Sequence, residues 1–108
     1  MRKVTNEMIV AFSNNKNYKN KNTTVSVGEE ETAILLHGHM IAYRDHKTGK
    51  VYISNCGYET TVTKERLNAV ILSEIGTAKG KIFQKQRDWY WGTGKEVHLF
   101  PYNKFVEL

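Results

Sequence analysis

The sequence has only one cysteine and one proline among 108 residues. The lone cysteine, Cys56, excludes a disulfide within the chain and offers no paired thiols with the spacing of a zinc ribbon. Such cysteine usage agrees with a reducing compartment. We therefore expect a cytoplasmic protein whose fold is held by packing alone.

Long hydrophobic runs are also missing. No apolar run exceeds five residues, whereas a helix needs about 20 to cross a bilayer. The basic residues Arg2 and Lys3 are followed by Asn6 and Glu7 rather than by the apolar core of a signal peptide. The sequence thus predicts neither a membrane span nor a membrane partner.

Length and composition fit one folded unit. A chain of 108 residues with 40% apolar side chains can close one core but not two. We predict a single small basic domain spanning residues 1–108.

The formal net charge of +5 is unevenly distributed. Residues 1–24 and residues 79–95 each have a net charge of +4, whereas residues 25–78 have a net charge of −2. Two basic segments of this kind attract polyanions. The alternative, that these lysines only keep the protein in solution, stays open at this point.

The first quarter of the chain predicts a short helix, a loop and a strand. Thr5 or Asn6 can cap a helix that ends by Asn14, because apolar residues follow at helical spacing. Residues 13–22 are rich in asparagine and lysine and predict an exposed loop. Residues 23–27 then alternate as a strand does.

The next segment predicts a hairpin. Residues 32–44 have the composition of one long strand, in which Gly38 marks a bulge or a close backbone approach. A polar turn at residues 45–50 and a β-branched stretch at residues 51–54 follow. We predict a β-hairpin over residues 33–54.

The clearest helix covers residues 63–75. Thr63 can serve as its N-cap, and Gly76 fits the position after its end, where φ is positive. Its apolar stripe consists of Leu67, Val70, Ile71 and Ile75.

Residues 81–84 and 89–91 predict a second hairpin, and residues 97–100 a last strand. The order of elements predicts an α+β fold. It would be a mainly antiparallel sheet of about five strands, packed by one main helix and a short N-terminal helix.

Three local patterns resemble chemical sites only weakly. His37, His39 and His46 have no carboxylate or cysteine at ligand spacing, so we predict no metal and no cofactor. A lone Cys56 is more often a small buried residue than a nucleophile. Residues 92–95 lack the first glycine and the serine or threonine of a phosphate loop. We therefore predict that the chain is not an enzyme.

The segment 83–91 interleaves cations, amides and three consecutive aromatics. Exposed rings stack unpaired bases and neighbouring cations contact phosphates. The alternative is that two of these aromatics belong to the core. The predicted nucleic-acid contacts are Lys16, Tyr18, Lys19, Lys21, Lys81, Lys85, Arg87, Trp89, Tyr90 and Trp91.

A second possible recognition surface lies near the start of the main helix, where anions are attracted. An equal alternative is that Asn68 only bonds the backbone of a neighbouring strand. The residues of this possible surface are Tyr58, Thr60, Lys64, Arg66 and Asn68.

Three segments together resemble a family of short uncharacterised proteins from tailed bacteriophages. They are the strand LHGHMIA at residues 36–42, the turn GYET with the helix start TKERLNA at residues 57–69, and the QK and WY pairs at residues 84–90. The sequence departs from the pattern at Tyr58, where tryptophan is expected. The resemblance implies a phage gene product in the bacterial cytoplasm and carries no established activity.

The sequence leaves two candidate functions open. The first is a nucleic-acid-binding protein of low sequence specificity, which the basic and aromatic residues favour. The alternative is a protein-binding effector that inhibits or redirects a bacterial host enzyme or defence system. The expected partner is accordingly a nucleic acid or a bacterial host protein.

Overall fold

The structure is a computed structural model and describes residues 2–93 and 95–108. Within these residues it is an α+β fold with two helices and nine strands in two antiparallel sheets. The helices are α1 (Lys3–Ser13) and α2 (Thr61–Ile75). The strands are β1 (Tyr18–Asn20), β2 (Thr23–Val27), β3 (Glu31–Leu36), β4 (His39–Asp45), β5 (Val51–Ile53), β6 (Lys81–Lys85), β7 (Asp88–Gly92), β8 (Val97–Leu99) and β9 (Val106–Glu107).

The larger sheet has six strands in the order β1-β2-β3-β4-β5-β9, so it exceeds the predicted five by itself. Both helices contact this sheet, and α1 also packs on α2. Leu67, Val70 and Ile71 of α2 are buried, as the apolar stripe predicts, while Ile75 is half-buried. No helix in the described part of the chain has the length and hydropathy to span a membrane.

Residues 32–44 form two strands, not one long strand. His37 and Gly38 make a two-residue turn with φ of 52° and 80°, and Leu36 pairs with His39 across it. Positive φ at both central residues is the geometry of a tight β-hairpin. The prediction of a bulge at Gly38 was therefore wrong, and His37 and His39 do not share a strand.

The N-terminal segment also differs from its prediction. α1 begins at Lys3, without a side-chain cap, and Thr5 lies buried inside the helix instead of capping it. Its end at Ser13 agrees with the predicted end by Asn14. Residues 18–20 of the predicted loop form β1, because they pair with β2.

The start of α2 is earlier than predicted. Thr60, not Thr63, is the N-cap, and its hydroxyl accepts a hydrogen bond from the Thr63 backbone N–H. Gly76 follows the helix with φ of 68°, as its predicted position requires.

The smaller sheet has the order β6-β7-β8 and contains the predicted second hairpin. One face contributes Ile82 and Trp89 to the core, where Phe100 joins them. This sheet contacts α2 through β6, so its opposite face is turned away from the helices.

Candidate nucleic-acid interface

The register of the β6–β7 hairpin decides which aromatic rings face solvent. Phe83 pairs with Tyr90, and Ile82 pairs with Trp91. Because side chains alternate between the faces of a strand, Phe83 and Tyr90 share one face. Trp89 and Trp91 share the other face, which is directed at the core.

Trp89 is not available for base stacking, because only 1% of it is exposed. Its ring lies 6.2 Å from that of Phe100, and the half-buried Trp91 ring lies 6.3 Å from Phe100 on the same side. The predicted contact at Trp89 is therefore corrected to a core position. Trp89 and Trp91 thus both lie on the core side of the hairpin. This agrees with the alternative that two of the three consecutive aromatics belong to the core.

The outer face of the smaller sheet carries an aromatic pair. The rings of Phe83 and Tyr90 are stacked, with centroids 5.9 Å apart and planes at 24°. Leu99 pairs with Tyr90 across β7 and β8, and it is 64% exposed. Lys81 and Lys85 lie two residues before and after Phe83, so they flank the pair on the same face.

We call this outer face the platform. It consists of Lys81, Phe83, Lys85, Tyr90, Val97 and Leu99. A shallow depression of about 430 Å³ runs over it and is lined by Phe83, Lys85, Tyr90 and Val97, with Gln86 at the hairpin turn. Sequence reasoning missed Val97 and Leu99 as site residues. Their alternation within β8 was the signal that could have placed them on one face.

The turn of this hairpin adds a further cation at the tip. Gln86 and Arg87 have φ of 50° and 77° and form a two-residue turn between Lys85 and Asp88. Both turn residues are exposed. Arg87 is thus free to reach a ligand that crosses the platform.

The first basic segment lies on the other sheet. Lys16, Lys19 and Lys21 are exposed around β1. The Tyr18 hydroxyl donates a hydrogen bond to Glu7 Oε1 at 2.8 Å, and burial together with this contact raises the pKa of Tyr18. Lys19 thus lies on a different sheet from Lys81 and Lys85, and Tyr18 is engaged by α1.

Arg66 does not belong to a recognition surface. It is 3% exposed and donates hydrogen bonds to Thr5 Oγ1 and Glu65 Oε1. Burial lowers its pKa, and the neighbouring Glu65 opposes that shift. Arg66 instead joins α2 to α1, which corrects its predicted place on the possible recognition surface.

The other members of the predicted recognition surface are divided. Asn68 forms hydrogen bonds with the backbone of Ile82 in β6. This agrees with the alternative that Asn68 bonds the backbone of a neighbouring strand. Thr60 caps α2, and Lys64 is half-buried one turn further on. Tyr58 is 50% exposed and its ring lies 4.5 Å from that of His39.

The groups considered for catalysis are tied into the fold. The Cys56 thiol donates to the Met40 carbonyl, and burial raises the pKa of this thiol. His46 contacts Thr32 Oγ1 at 2.7 Å and the Glu29 carbonyl at 3.1 Å. Among residues 2–93 and 95–108, no group of three or more histidine, cysteine or acidic residues could hold a metal ion.

Comparison with known proteins identifies a relationship over almost the whole chain. A protein-family model described as Kyanoviridae Gp96 protein matches residues 1–107. No curated protein and no solved structure matches the chain. The predicted resemblance to a family of phage proteins is confirmed by this match.

Proposed function

The chain belongs to the Kyanoviridae Gp96 protein family, and we propose that it is a small phage protein that binds single-stranded nucleic acid through the platform. The observation that supports this most is the stacked Phe83–Tyr90 pair on the solvent face of the smaller sheet. Lys81 and Lys85 flank the pair and carry the opposite charge to a phosphate backbone.

The two kinds of side chain have separate tasks in this proposal. Aromatic rings stack bases at roughly 1–3 kcal/mol per base, and every base has a face that can stack. Lysines neutralise phosphates regardless of sequence. A surface that uses only these contacts binds with low sequence specificity.

A single strand fits the platform better than a duplex does. The bases of a duplex are stacked on each other, so their faces are not accessible to Phe83 and Tyr90. Unpaired bases can be splayed onto a sheet and contacted by its rings. The platform is three strands wide, which at about 4.8 Å per strand accommodates only a few nucleotides.

We also propose that binding without catalysis is the activity of this chain. The raised pKa of Cys56 and its bond to Met40 leave the thiol protonated and engaged. A nucleophilic cysteine needs the opposite shift. We place this activity in the bacterial cytoplasm, where single-stranded nucleic acid is available and a free cysteine remains reduced.

A second candidate is docking to a bacterial host protein. The exposed Leu99 and Val97 favour it, because phosphate recognition does not need apolar side chains. An aromatic anchor surrounded by a polar rim is typical of such interfaces. Nuclease treatment separates the two candidates, since capture of a protein partner survives it.

The direct experiment is titration of a fluorescent oligonucleotide with the purified protein at low salt. We expect the single strand to bind more tightly than a duplex of the same sequence, and RNA or DNA of unrelated sequences to bind alike. Equal affinity for the duplex would contradict stacking on the platform.

A further inference from the structure

A second concave site lies outside the platform. A cleft of about 300 Å³ opens between the β3–β4 turn and the start of α2. Its lining contains no lysine, arginine, aspartate or glutamate, although the chain carries a formal net charge of +5. A lining without these side chains favours a neutral ligand, and the volume suits one small molecule or one base.

The cleft has an apolar floor and one aromatic wall. Leu36, Ile41 and Val62 form the floor. The wall is the His39–Tyr58 pair, whose planes are inclined by 34° at a centroid distance of 4.5 Å. Half of Tyr58 is exposed at this position, so part of its ring surface remains accessible to a ligand. Such a wall stacks a planar ring.

The lining also offers a hydrogen-bond donor. Thr60 Oγ1 accepts from the Thr63 backbone N–H, and the two threonine hydroxyls lie 2.9 Å apart. Each hydroxyl has one hydrogen, and only one of the two hydrogens can lie between them. The other has no partner among residues 2–93 and 95–108, whichever hydroxyl donates.

His37 adds a group that adapts to its ligand. Its Nε2 lies 3.3 Å from Asn22 Nδ2, and its second ring nitrogen has no partner in the described part of the chain. A neutral imidazole can donate or accept through that nitrogen, depending on the tautomer. The cleft therefore combines a stacking wall with polar groups at the ring edge.

We propose that this cleft binds a single neutral nucleobase, as a free nucleoside or as one unpaired base. A nucleobase is planar, uncharged and polar along its edge, and these are the properties of the lining. A purely hydrocarbon ring would leave the threonine hydroxyl and the His37 nitrogen unpaired, which costs affinity.

The cleft lies at the N-terminus of α2 and shares no lining residue with the platform. The cleft is thus distinct from the cationic platform, and this inference does not rest on the proposed function.

The test is a titration of ¹⁵N-labelled protein with adenosine, guanosine, cytidine and uridine, followed by amide chemical shifts. We expect at least one nucleoside to give saturable shifts confined to residues 36–41 and 58–63, in the millimolar range. Absence of shifts for all four nucleosides overturns the proposal, as does stronger binding of N-acetyltryptophanamide, which would indicate a protein side chain as the ligand.

Variants separate the cleft from the platform. Tyr58→Ala removes the stacking wall at an exposed position and should weaken nucleoside binding about tenfold. Val62→Phe fills the floor and should abolish it. Leu72→Ala, an exposed change on α2 outside the cleft lining, is the control and should leave nucleoside binding unchanged. Wild-type affinity in folded Tyr58→Ala protein overturns the proposal, whatever the outcome of oligonucleotide binding.

Discussion

The side-chain amide of Asn68 in α2 forms two hydrogen bonds with the backbone of Ile82 in β6. Its Nδ2 donates to the Ile82 carbonyl at 2.9 Å, and its Oδ1 accepts from the Ile82 N–H at 2.7 Å. The amide thereby occupies the edge of β6 that no strand of the described residues covers. Asparagine has poor helix propensity. At this position its side chain instead joins α2 to β6 through these two hydrogen bonds.

Replacement of Asn68 should loosen the smaller sheet from α2. We expect Asn68→Ala to cost about 1–3 kcal/mol, because the Ile82 N–H and carbonyl lose their partners. Chemical denaturation measures the loss, and hydrogen exchange of the Ile82 amide should accelerate. Ser73→Ala, an exposed change on the same helix, is the control. An unaltered exchange rate at Ile82 would show that the pairing is not maintained in solution.

The packing of α2 can be tested within one helix. Leu67→Ala or Ile71→Ala should cost about 2–5 kcal/mol, since both side chains are buried. Leu72→Ala should change stability by less than about 0.5 kcal/mol, because Leu72 is 51% exposed. Urea denaturation compares the three variants. Equal losses at Leu67 and Leu72 would contradict the placement of the helix.

Glu59 should make stability depend on pH. Its pKa is raised above the ordinary 4.5 by burial and by Asp88, so the folded protein binds this proton at higher pH than the unfolded chain. Stability from this group is therefore present at low pH and is lost as pH rises through the raised value. We expect Glu59→Gln to raise Tm at pH 7 but not at pH 3.5. A pH-independent difference in Tm would contradict this.

The aromatic pair of the platform should carry oligonucleotide affinity. We expect Tyr90→Ala to weaken single-strand binding by about 5- to 150-fold, the equivalent of roughly 1–3 kcal/mol for one stacked base. Tyr102→Ala is the matched control, because Tyr102 is exposed and lies outside the platform. Fluorescence anisotropy measures both. Similar losses of affinity for the two variants would contradict oligonucleotide binding through the platform.

Much of the fold could be predicted from local patterns. The two hairpins and the body of α2 follow from periodicity and turn composition. The turn at His37 was missed because residues other than glycine are uncommon at positive φ and apolar residues continue on both sides of the turn. β9 (Val106–Glu107) was missed because a two-residue strand has no local pattern. It exists only through its pairing with Tyr52 and Ile53.

Part of the candidate site could also be predicted from a local pattern. Strand alternation correctly separates Tyr90 from Trp89 and Trp91. Which face is buried depends on Phe100 and the rest of the core, and these contacts are not local. Arg66 was misplaced because one of its partners, Thr5, lies in a different helix.

The salt dependence of oligonucleotide binding tests the central claim most directly. If Lys81, Lys85 and Arg87 each neutralise one phosphate, the slope of log K against log salt should be about −2, from roughly −0.7 per contact on a single strand. Lys85→Ala and Arg87→Ala should each reduce that slope by somewhat under one unit and weaken all sequences alike. Lys104→Ala, an exposed control outside the platform, should leave it unchanged. A slope near zero, or no binding at about 100 μM protein, would contradict nucleic-acid binding and favour a host protein as the partner.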